Sequence, residues 1–143
     1  MKPREFQALA ERLASHGTKA AEFRTAISRS YYASYHTAFQ LLEKMGFQLR
    51  TGSLAHQDVR DHLNNSSDLE IIKQAGALGD LYGKRKKADY DLGEPYAERQ
   101  ANAQSAVEIA NLTIYNLVQH LKGPNAAAIE AAIQRWRSAN GRS

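Results

Sequence analysis

Apolar residues alternate at intervals of four and three along the segment 103–121, and this spacing constrains the fold more than any other feature of the chain. The residues in this seam are Ala103, Val107, Ala110, Ile114, Leu117 and Leu121. Such a seam places one apolar stripe along a helix that packs against near-antiparallel helices. Ala occurs 23 times and Leu 14 times, against 15 for Val, Ile and Thr together, which favours helix over strand throughout. The sequence therefore predicts an all-α protein.

Shorter stripes of the same kind divide the rest of the chain into helices. The predicted boundaries are 3–15, a second helix capped by Thr18 and ending at Met45, 55–63, a fourth helix capped by Ser67 or Asp68, a fifth beginning near Pro95, and 125–138. We expect an up-and-down bundle of four to five helices over residues 1–122. An extra basic helix and tail over 123–143 would pack on this bundle or on a second subunit.

The composition excludes several classes of protein. With 143 residues and a net charge of +4, the chain is long enough for one domain with its own core. The lack of cysteine excludes thiol nucleophiles, thiolate metal sites and disulfides, and it predicts a cytoplasmic location. No apolar run approaches the roughly 18 residues that span a bilayer, and we expect neither a signal peptide nor contact with a membrane. The modest positive charge permits polyanion binding without requiring it.

One face of the second helix carries polar groups that suit phosphate chemistry. Arg29, Tyr32 and His36 stand at i, i+3 and i+7, so they project along nearly one line. The spacing alone is weak evidence: composition predicts about 1.2 Arg–His pairs separated by four to six residues. The chain contains two, Arg29 with His36 and Arg50 with His56. A polar helix surface or a dimer interface remains the alternative interpretation.

Three tyrosines crowd the same helix. Tyr31, Tyr32 and Tyr35 lie within five residues and cover more than half of the helix circumference, so at least one ring leaves the core stripe. Aromatic rings with a hydroxyl suit base stacking or subunit contact. The alternative is that they simply fill space between packed helices.

The end of the fourth helix is strongly basic. It reads Gly83-Lys84-Arg85-Lys86-Lys87-Ala88-Asp89-Tyr90. Arg85 and Asp89 extend the apolar stripe at i and i+4, so we expect them to face inward, whereas Lys86 and Lys87 face solvent. A guanidinium held by a carboxylate one turn away can present its donors to a phosphate. The alternative is a structural ion pair that joins helices.

The remaining motifs are less specific. Gly76, Gly79 and Gly83 share one face of the fourth helix; close approach of another helix is the simplest explanation, and a ligand against bare backbone is the alternative. The sequence contains no metal-ligand constellation, Gly-rich phosphate loop or nucleophile elbow. We therefore predict neither a metal nor a cofactor.

Three segments together resemble the small single-domain branch of the HEPN superfamily (higher eukaryotes and prokaryotes nucleotide-binding). They are Ser28-Arg29-Ser30-Tyr31-Tyr32-Ala33-Ser34-Tyr35-His36 on the second helix, His56 with Val59 and Leu63 on the third, and Arg85-x-x-Ala88-Asp89-Tyr90 at the end of the fourth. The resemblance covers roughly residues 24 to 121 and leaves the last helix outside it.

The resemblance implies a helical bundle that usually forms a homodimer. Relatives are often encoded beside a small nucleotidyltransferase, as the partner in a prokaryotic toxin–antitoxin or defence system. Many are metal-independent ribonucleases, in which a His moves the proton of the ribose 2′-hydroxyl and an Arg stabilises the phosphate charge. Their Arg–His pair lies on a late helix, where this chain has Asp89 and Tyr90 in place of a histidine.

These observations favour a protein that binds RNA or a nucleotide and works with a nucleotidyltransferase partner. The residues expected to bind are Tyr32, Tyr35, Lys84, Lys86, Lys87, Asp89 and Tyr90. The first alternative is a metal-independent endoribonuclease toxin that cuts single-stranded RNA, with His36 as general acid/base and Arg29 and Arg85 on the phosphate. The second alternative is a structural helical adaptor.

Overall fold

The computed structural model describes residues 1–142, which form six α-helices and two 3₁₀ turns. The helices are α1 Pro3–His16, α2 Ala20–Lys44, α3 Ala55–Asn64, α4 Leu69–Tyr90, α5 Gln100–Leu121 and α6 Ala126–Ala139, and the 3₁₀ turns are Gly52–Leu54 and Pro95–Glu98. No strand occurs within these residues. The predicted all-α class is therefore confirmed.

Helix α2 lies at the centre of the bundle and packs against α1, α4 and α5, while α3 packs on α4. The predicted seam of α5 is buried except at Ile114, which is half-buried. Tyr31, Ile27 and Leu42 of α2 are among the largest side chains with no exposed surface. None of the helices within residues 1–142 combines the length and the apolar character that a bilayer span requires.

The start of α2 differs from the prediction at its cap. Lys19, rather than Thr18, is the residue in front of the helix. The Glu22 carboxylate accepts hydrogen bonds from the backbone N–H groups of both Thr18 and Lys19, each at 3.1 Å. A carboxylate in the first turn thus binds amides at the helix start, and the Thr18 hydroxyl is not needed as a cap.

The starts of α4 and α5 were predicted from a capping residue and from a proline, and only the first prediction is confirmed. Of the two predicted caps of α4, Asp68 is the one used, because its Oδ1 accepts from the Ile71 backbone N–H at 3.0 Å. The prediction that α5 begins near Pro95 is wrong. Pro95 opens a 3₁₀ turn, and the extended backbone of Arg99 separates this turn from α5. Proline suits the first turn of either kind of helix, so its presence did not distinguish them.

The buried Arg24 of α2 binds the last turn of α4 and the segment that follows it. The Arg24 guanidinium donates hydrogen bonds of 2.9–3.2 Å to four backbone carbonyls, those of Lys87, Ala88, Asp91 and Glu94. Its Nε and Nη2 also bind one carboxylate oxygen of Glu98, at 3.0 and 2.8 Å. Carbonyls at the end of a helix lack intrahelical donors, and Arg24 supplies these donors from α2. The last turn of α4 is thereby held against α2.

Helix α6 packs on the bundle of the same chain. Ile129 and Ile133 are buried members of the single hydrophobic core, and Trp136 packs against that core from a half-buried position. The Trp136 ring meets the imidazole of His62 edge-on, with 5.0 Å between ring centroids. Of the two predicted positions for this helix, packing on the bundle is the one observed.

His62 joins α6 to α3 through both of its ring nitrogens. Nδ1 lies 2.7 Å from the Asp58 carbonyl oxygen, and Nε2 lies 2.9 Å from Nη1 of Arg137. A carbonyl only accepts and a guanidinium only donates, so Nδ1 carries the proton and Nε2 accepts. Burial lowers the pKa of His62, although Asp58 partly offsets this effect. Arg142 further pairs with the buried Asp58 carboxylate, with Nη2 at 3.1 Å from Oδ2.

The glycine face of α4 does not approach another helix. A Cβ added at Gly76 or Gly83 would meet no atom within 4 Å, and one at Gly79 would touch only the Arg60 side chain, at 3.6 Å. The expectation that close helix packing explains these glycines is wrong. Spacing places three residues on one face, but it does not tell whether another helix covers that face.

Candidate functional site

Arg85 is buried among tyrosine rings where α4 crosses α2. Its side chain is 7% exposed, and its Cζ lies 5.1–5.8 Å from the centroids of four rings, those of Tyr31, Tyr32, Tyr82 and Tyr90. A guanidinium at this distance from a ring face is attracted by the π electrons. The fold therefore buries a cation mainly among aromatic rings.

The polar contacts of Arg85 leave part of its guanidinium without an acceptor. Its nearest carboxylate is Asp89, with 3.6 Å between Nη1 and Oδ2, and Asp89 also accepts a 3.0 Å hydrogen bond from the Ser28 hydroxyl. The buried Nε has no hydrogen-bond partner within the described part of the chain. Burial opposes the charge, but Tyr32, Asp89 and a hydrogen bond to the Tyr90 hydroxyl outweigh it and raise the pKa of Arg85, so the side chain is a cation at neutral pH.

His56 reaches the same rings from α3. Its Nδ1 lies 2.5 Å from the Tyr31 hydroxyl, and its ring centroid lies 4.6 Å from that of Tyr35 and 5.1 Å from that of Tyr82. Burial, then Arg85, lowers the pKa of His56, and burial raises the pKa of the Tyr31 phenol. Since the imidazole is neutral and the phenol protonated at neutral pH, we assign Tyr31 as the donor and Nδ1 as the acceptor.

His36 and Arg29 border the rings on the side of α1. The His36 ring stacks on Phe6 and on Tyr32, with centroids 5.5 and 6.0 Å apart. The Arg29 Cζ lies 5.4 Å from the centroid of Phe6 and 5.9 Å from that of Tyr32. Burial lowers the pKa of His36, which is therefore neutral at pH 7. The structure thus places Arg29, His36 and Arg85 around the ring of Tyr32.

Two further cations cover Tyr82. The Arg60 Cζ lies 4.9 Å and the Lys86 Nζ 4.6 Å from its ring centroid. Arg60 donates to Gln57 at 2.7 Å, while its buried Nη1 has no partner among residues 1–142. We call the whole assembly the tyrosine cluster. Its members are Arg29, Tyr31, Tyr32, Tyr35, His36, His56, Arg60, Tyr82, Arg85, Lys86, Asp89 and Tyr90.

The predicted lysines divide between two faces of α4. Lys86 belongs to the tyrosine cluster. Lys84 and Lys87 line a separate cavity of about 520 Å³, whose other lining residues are Gly79, Asp80, Gly83, Glu94 and Tyr96. The expected solvent exposure of Lys86 and Lys87 is confirmed, as is the burial of Arg85, but Asp89 is exposed. Lys84 and Lys87 therefore do not share the surface of Arg85.

Four residues in or beside the tyrosine cluster were not predicted as site residues from local motifs. Phe6, Arg60 and Tyr82 were not candidates, and His56 entered only through a chance-level pairing and the family resemblance. Tyr82 could have been predicted as a neighbour of Arg85, because it stands three residues before Arg85 and shares its helix face. For Phe6, Arg60 and His56 the partners lie on other helices, and helical spacing carries no information about them.

No group of three or more potential metal-ligating side chains occurs among residues 1–142. A scan against protein-family models, a search of curated proteins and a search of solved structures each found no match to this chain.

Proposed function

We propose that this chain binds single-stranded RNA or a nucleotide at the tyrosine cluster. The observation that carries the proposal is Arg85, a buried cation among four tyrosine rings whose Nε has no acceptor within residues 1–142. Phosphate oxygens are strong acceptors for a guanidinium, and tyrosine rings stack with bases of any sequence. Arg29, Arg60 and Lys86 add positive charge around the same rings.

Two further proposals rest on the resemblance to the HEPN superfamily. The chain acts as a homodimer, and it works with a nucleotidyltransferase partner in a prokaryotic toxin–antitoxin or defence system. Light scattering of the purified protein tests the first proposal by its mass. Co-purification of the protein with the product of a neighbouring nucleotidyltransferase gene tests the second.

The binding proposal is tested by fluorescence anisotropy with an end-labelled, unstructured RNA, measured over a series of salt concentrations. We expect Arg85→Met to weaken binding about tenfold, because it removes the buried cation but keeps side-chain volume. For each phosphate that the protein no longer neutralises, the slope of log affinity against log salt should also become shallower by about 0.7. Arg12→Ala is the matched control, since Arg12 is an exposed cation on α1 outside the tyrosine cluster.

Arg85→Met that folds and binds RNA as the unmodified protein does would contradict the proposal. Binding weakened equally by Arg85→Met and Arg12→Ala would do the same, because it would indicate attraction by net charge alone. Circular dichroism of both variants establishes that the helices are intact.

A second candidate function is metal-independent RNA cleavage, which is favoured by His36 and Arg85 lying against the same ring of Tyr32. Neutral His36 would take the proton of a ribose 2′-hydroxyl, and the 2′-oxygen would attack the adjacent phosphorus. The bond to the 5′-oxygen would break as protonated His36 returns its proton to that oxygen, leaving a 2′,3′-cyclic phosphate. Arg29 and Arg85 would stabilise the additional negative charge on the phosphate.

Cleavage of labelled RNA in excess EDTA tests this candidate. We expect a ribonuclease to lose activity on His36→Ala while its RNA affinity stays within about twofold. His16→Ala is the control, because His16 is exposed at the end of α1. Absence of cleavage together with RNA binding that depends on Arg85 would reject the ribonuclease and support the binding protein.

A further inference from the structure

One ring nitrogen of His56 is available to a ligand at the tyrosine cluster. Nδ1 accepts the hydrogen bond of the Tyr31 hydroxyl, so the proton of the neutral imidazole lies on Nε2. Nε2 forms no hydrogen bond within residues 1–142, and the ring is half-buried. His56 therefore presents one N–H donor, whose direction is fixed by the bond to Tyr31.

His56 lies on the same aromatic rings as Arg85. Its ring centroid lies 5.7 Å from that of Tyr31 and 5.1 Å from that of Tyr82. The Cζ of Arg85 lies 5.7 Å and 5.1 Å from the centroids of the same two rings. A phosphate that accepts from Arg85 would therefore be near enough to His56 to favour a positive charge on the imidazole.

No carboxylate is among the groups that face His56 within residues 1–142. The titratable and charged groups around its ring come from three helices, and they are Tyr31, Tyr32, Tyr35 and His36 of α2, Arg60 of α3, and Tyr82 and Arg85 of α4. These groups provide no negative charge at neutral pH to pair with an imidazolium. An anionic ligand would provide it.

The pKa values of His56 and His36 are lowered for different reasons. Burial lowers the pKa of both imidazoles, but the charges of Arg85 and Arg60 lower that of His56 further. A phosphate bound to Arg85 would offset this electrostatic contribution and leave the effect of burial unchanged. Binding of a polyanion should therefore raise the pKa of His56 more than that of His36.

The hydrogen bond to Tyr31 allows His56 to gain a proton. A phenol can donate or accept, so the Tyr31 oxygen can accept from Nδ1 once that nitrogen is protonated. His62 lacks this possibility, because its Nε2 accepts from the guanidinium of Arg137, which can only donate. His56 can thus become charged and keep the bond that orients it, while Nε2 still donates to a ligand.

We propose that RNA binding at the tyrosine cluster is coupled to uptake of a proton by His56, whose Nε2 donates to a phosphate oxygen, with Tyr31 as its positioning residue. The proposal rests on the RNA-binding function proposed above. The unbound imidazole titrates below the ordinary 6.5, and the RNA-bound imidazole titrates at a higher pH. RNA affinity should therefore be constant above the higher pKa, rise as the pH falls between the two values, and level off below the lower one.

Fluorescence anisotropy with an end-labelled oligouridine at pH 7.5, 6.5 and 5.5 and constant ionic strength tests the coupling. Uracil gains no proton in this range, so a change in affinity reports on the protein. We expect affinity to rise about tenfold between pH 7.5 and 5.5, since one proton permits at most about tenfold per pH unit. Circular dichroism at each pH establishes that the protein is folded.

Four variants assign the proton to a residue. In His56→Gln the rise in affinity should shrink to about twofold or less, because the titrating group is gone. Tyr31→Phe removes the acceptor for the protonated Nδ1 and should reduce the rise about threefold. His36→Gln should keep most of the rise. His16→Gln is the matched control and should keep all of it, because His16 is exposed at the end of α1.

Isothermal titration calorimetry of the unmodified protein measures proton uptake without any variant. At pH 6.0, the binding enthalpies in MES and in bis-Tris differ by the number of protons taken up multiplied by the difference between the ionisation enthalpies of the two buffers. We expect uptake of about 0.2 to 1 proton for each RNA bound. This measurement tests the coupling even if His56→Gln does not fold.

Three results would overturn the proposal. The first is RNA binding that depends on Arg85 but takes up no proton and has the same affinity at pH 7.5 and 5.5, which would leave the RNA-binding function standing without the coupling. The second is a full rise in His56→Gln; its loss in His36→Gln would then assign the proton to His36. The third is absence of RNA binding at every pH, which would contradict the RNA-binding function as well.

Discussion

Arg24 and Arg85 are both buried cations between α2 and α4, but their surroundings differ. The guanidinium of Arg24 binds oxygen through Nε, Nη1 and Nη2, with four carbonyls and one carboxylate as acceptors. Arg85 has one carboxylate at 3.6 Å, four tyrosine rings and an Nε without a partner in residues 1–142.

The difference separates a structural cation from one that can bind a ligand. Removing a charged group from water is costly, and hydrogen bonds to oxygen compensate for this cost. In Arg24 the compensation comes from the fold itself. In Arg85 part of this compensation is missing. A phosphate that binds there would supply the missing hydrogen bonds, so its contact with Arg85 should contribute strongly to affinity. The two arginines should therefore respond differently to substitution, and the largest effect is expected at Arg24.

Arg24→Ala should lower the free energy of unfolding by about 3–5 kcal/mol, because it leaves one buried carbonyl, three partly buried carbonyls and Glu98 without their donor. Urea denaturation followed by circular dichroism measures the change. Arg12→Ala, which removes an exposed arginine, should change the free energy by less than about 0.5 kcal/mol. A loss at Arg24 no larger than the loss at Arg12 would contradict the structural role.

The buried histidine His62 should make the stability of the protein depend on pH. Burial lowers the pKa of His62 in the folded state, whereas in the unfolded chain it is near the ordinary 6.5. The unfolded state therefore binds a proton more readily below pH 6.5, so stability is fully present above that value and falls as the pH decreases. The slope contributed by one histidine reaches at most about 1.4 kcal/mol per pH unit.

Urea denaturation at pH 7.5, 6.0 and 5.0 measures this dependence. His62→Gln removes the titrating group, so the difference in stability between pH 7.5 and 5.0 should be smaller than in the unmodified protein. His16→Gln is the control and should leave the difference unchanged, because His16 is exposed. Equal pH dependence in His62→Gln and the unmodified protein would show that His62 does not titrate in this way.

Arg85→Met should change the free energy of unfolding by less than about 1 kcal/mol, because an apolar side chain of similar size often replaces a buried ion without loss. The same variant should lose about tenfold in RNA affinity, equivalent to about 1.4 kcal/mol. Arg24 and Arg85 would then differ in both measurements. Destabilisation as large as that of Arg24→Ala would remove the distinction between them.

The smallest effect concerns Tyr90, which is 76% exposed and contributes one ring around Arg85. Tyr90→Leu should leave the free energy of unfolding within about 0.5 kcal/mol of the original value. RNA affinity should decrease by about 1 kcal/mol, the lower end of the range for one stacked base. The anisotropy assay measures this, and unchanged affinity would exclude Tyr90 from the binding surface.

The spacing of residues along the sequence predicted which side chains are neighbours on one helix, but it did not predict contacts between helices. The placement of Arg29, Tyr32 and His36 side by side, and of Arg85 one turn from Asp89, followed from the geometry of a single helix. The positions of His56, Arg60 and Phe6 against the same rings depend on how α1, α3 and α4 pack on α2. Sequence periodicity does not determine that packing.

The errors in the fold have a similar origin. Pro95 is compatible with both an α-helix and a 3₁₀ turn, and the extended Arg99 that decides between them has no strong local signal. The three glycines of α4 were assigned to helix contact because spacing indicates a shared face. It does not indicate what lies opposite that face, and here solvent and the Arg60 side chain do.

The bonds from Arg24 have a consequence for the dynamics of α4. The final turn of a helix ordinarily frays, and its backbone amides exchange with solvent rapidly. Here Arg24 of α2 donates hydrogen bonds to two carbonyls of that turn, those of Lys87 and Ala88. Amide hydrogens near residue 88 should therefore exchange more slowly than those at a helix end without such bonds, and the rings around Arg85 would keep their positions in the absence of a ligand.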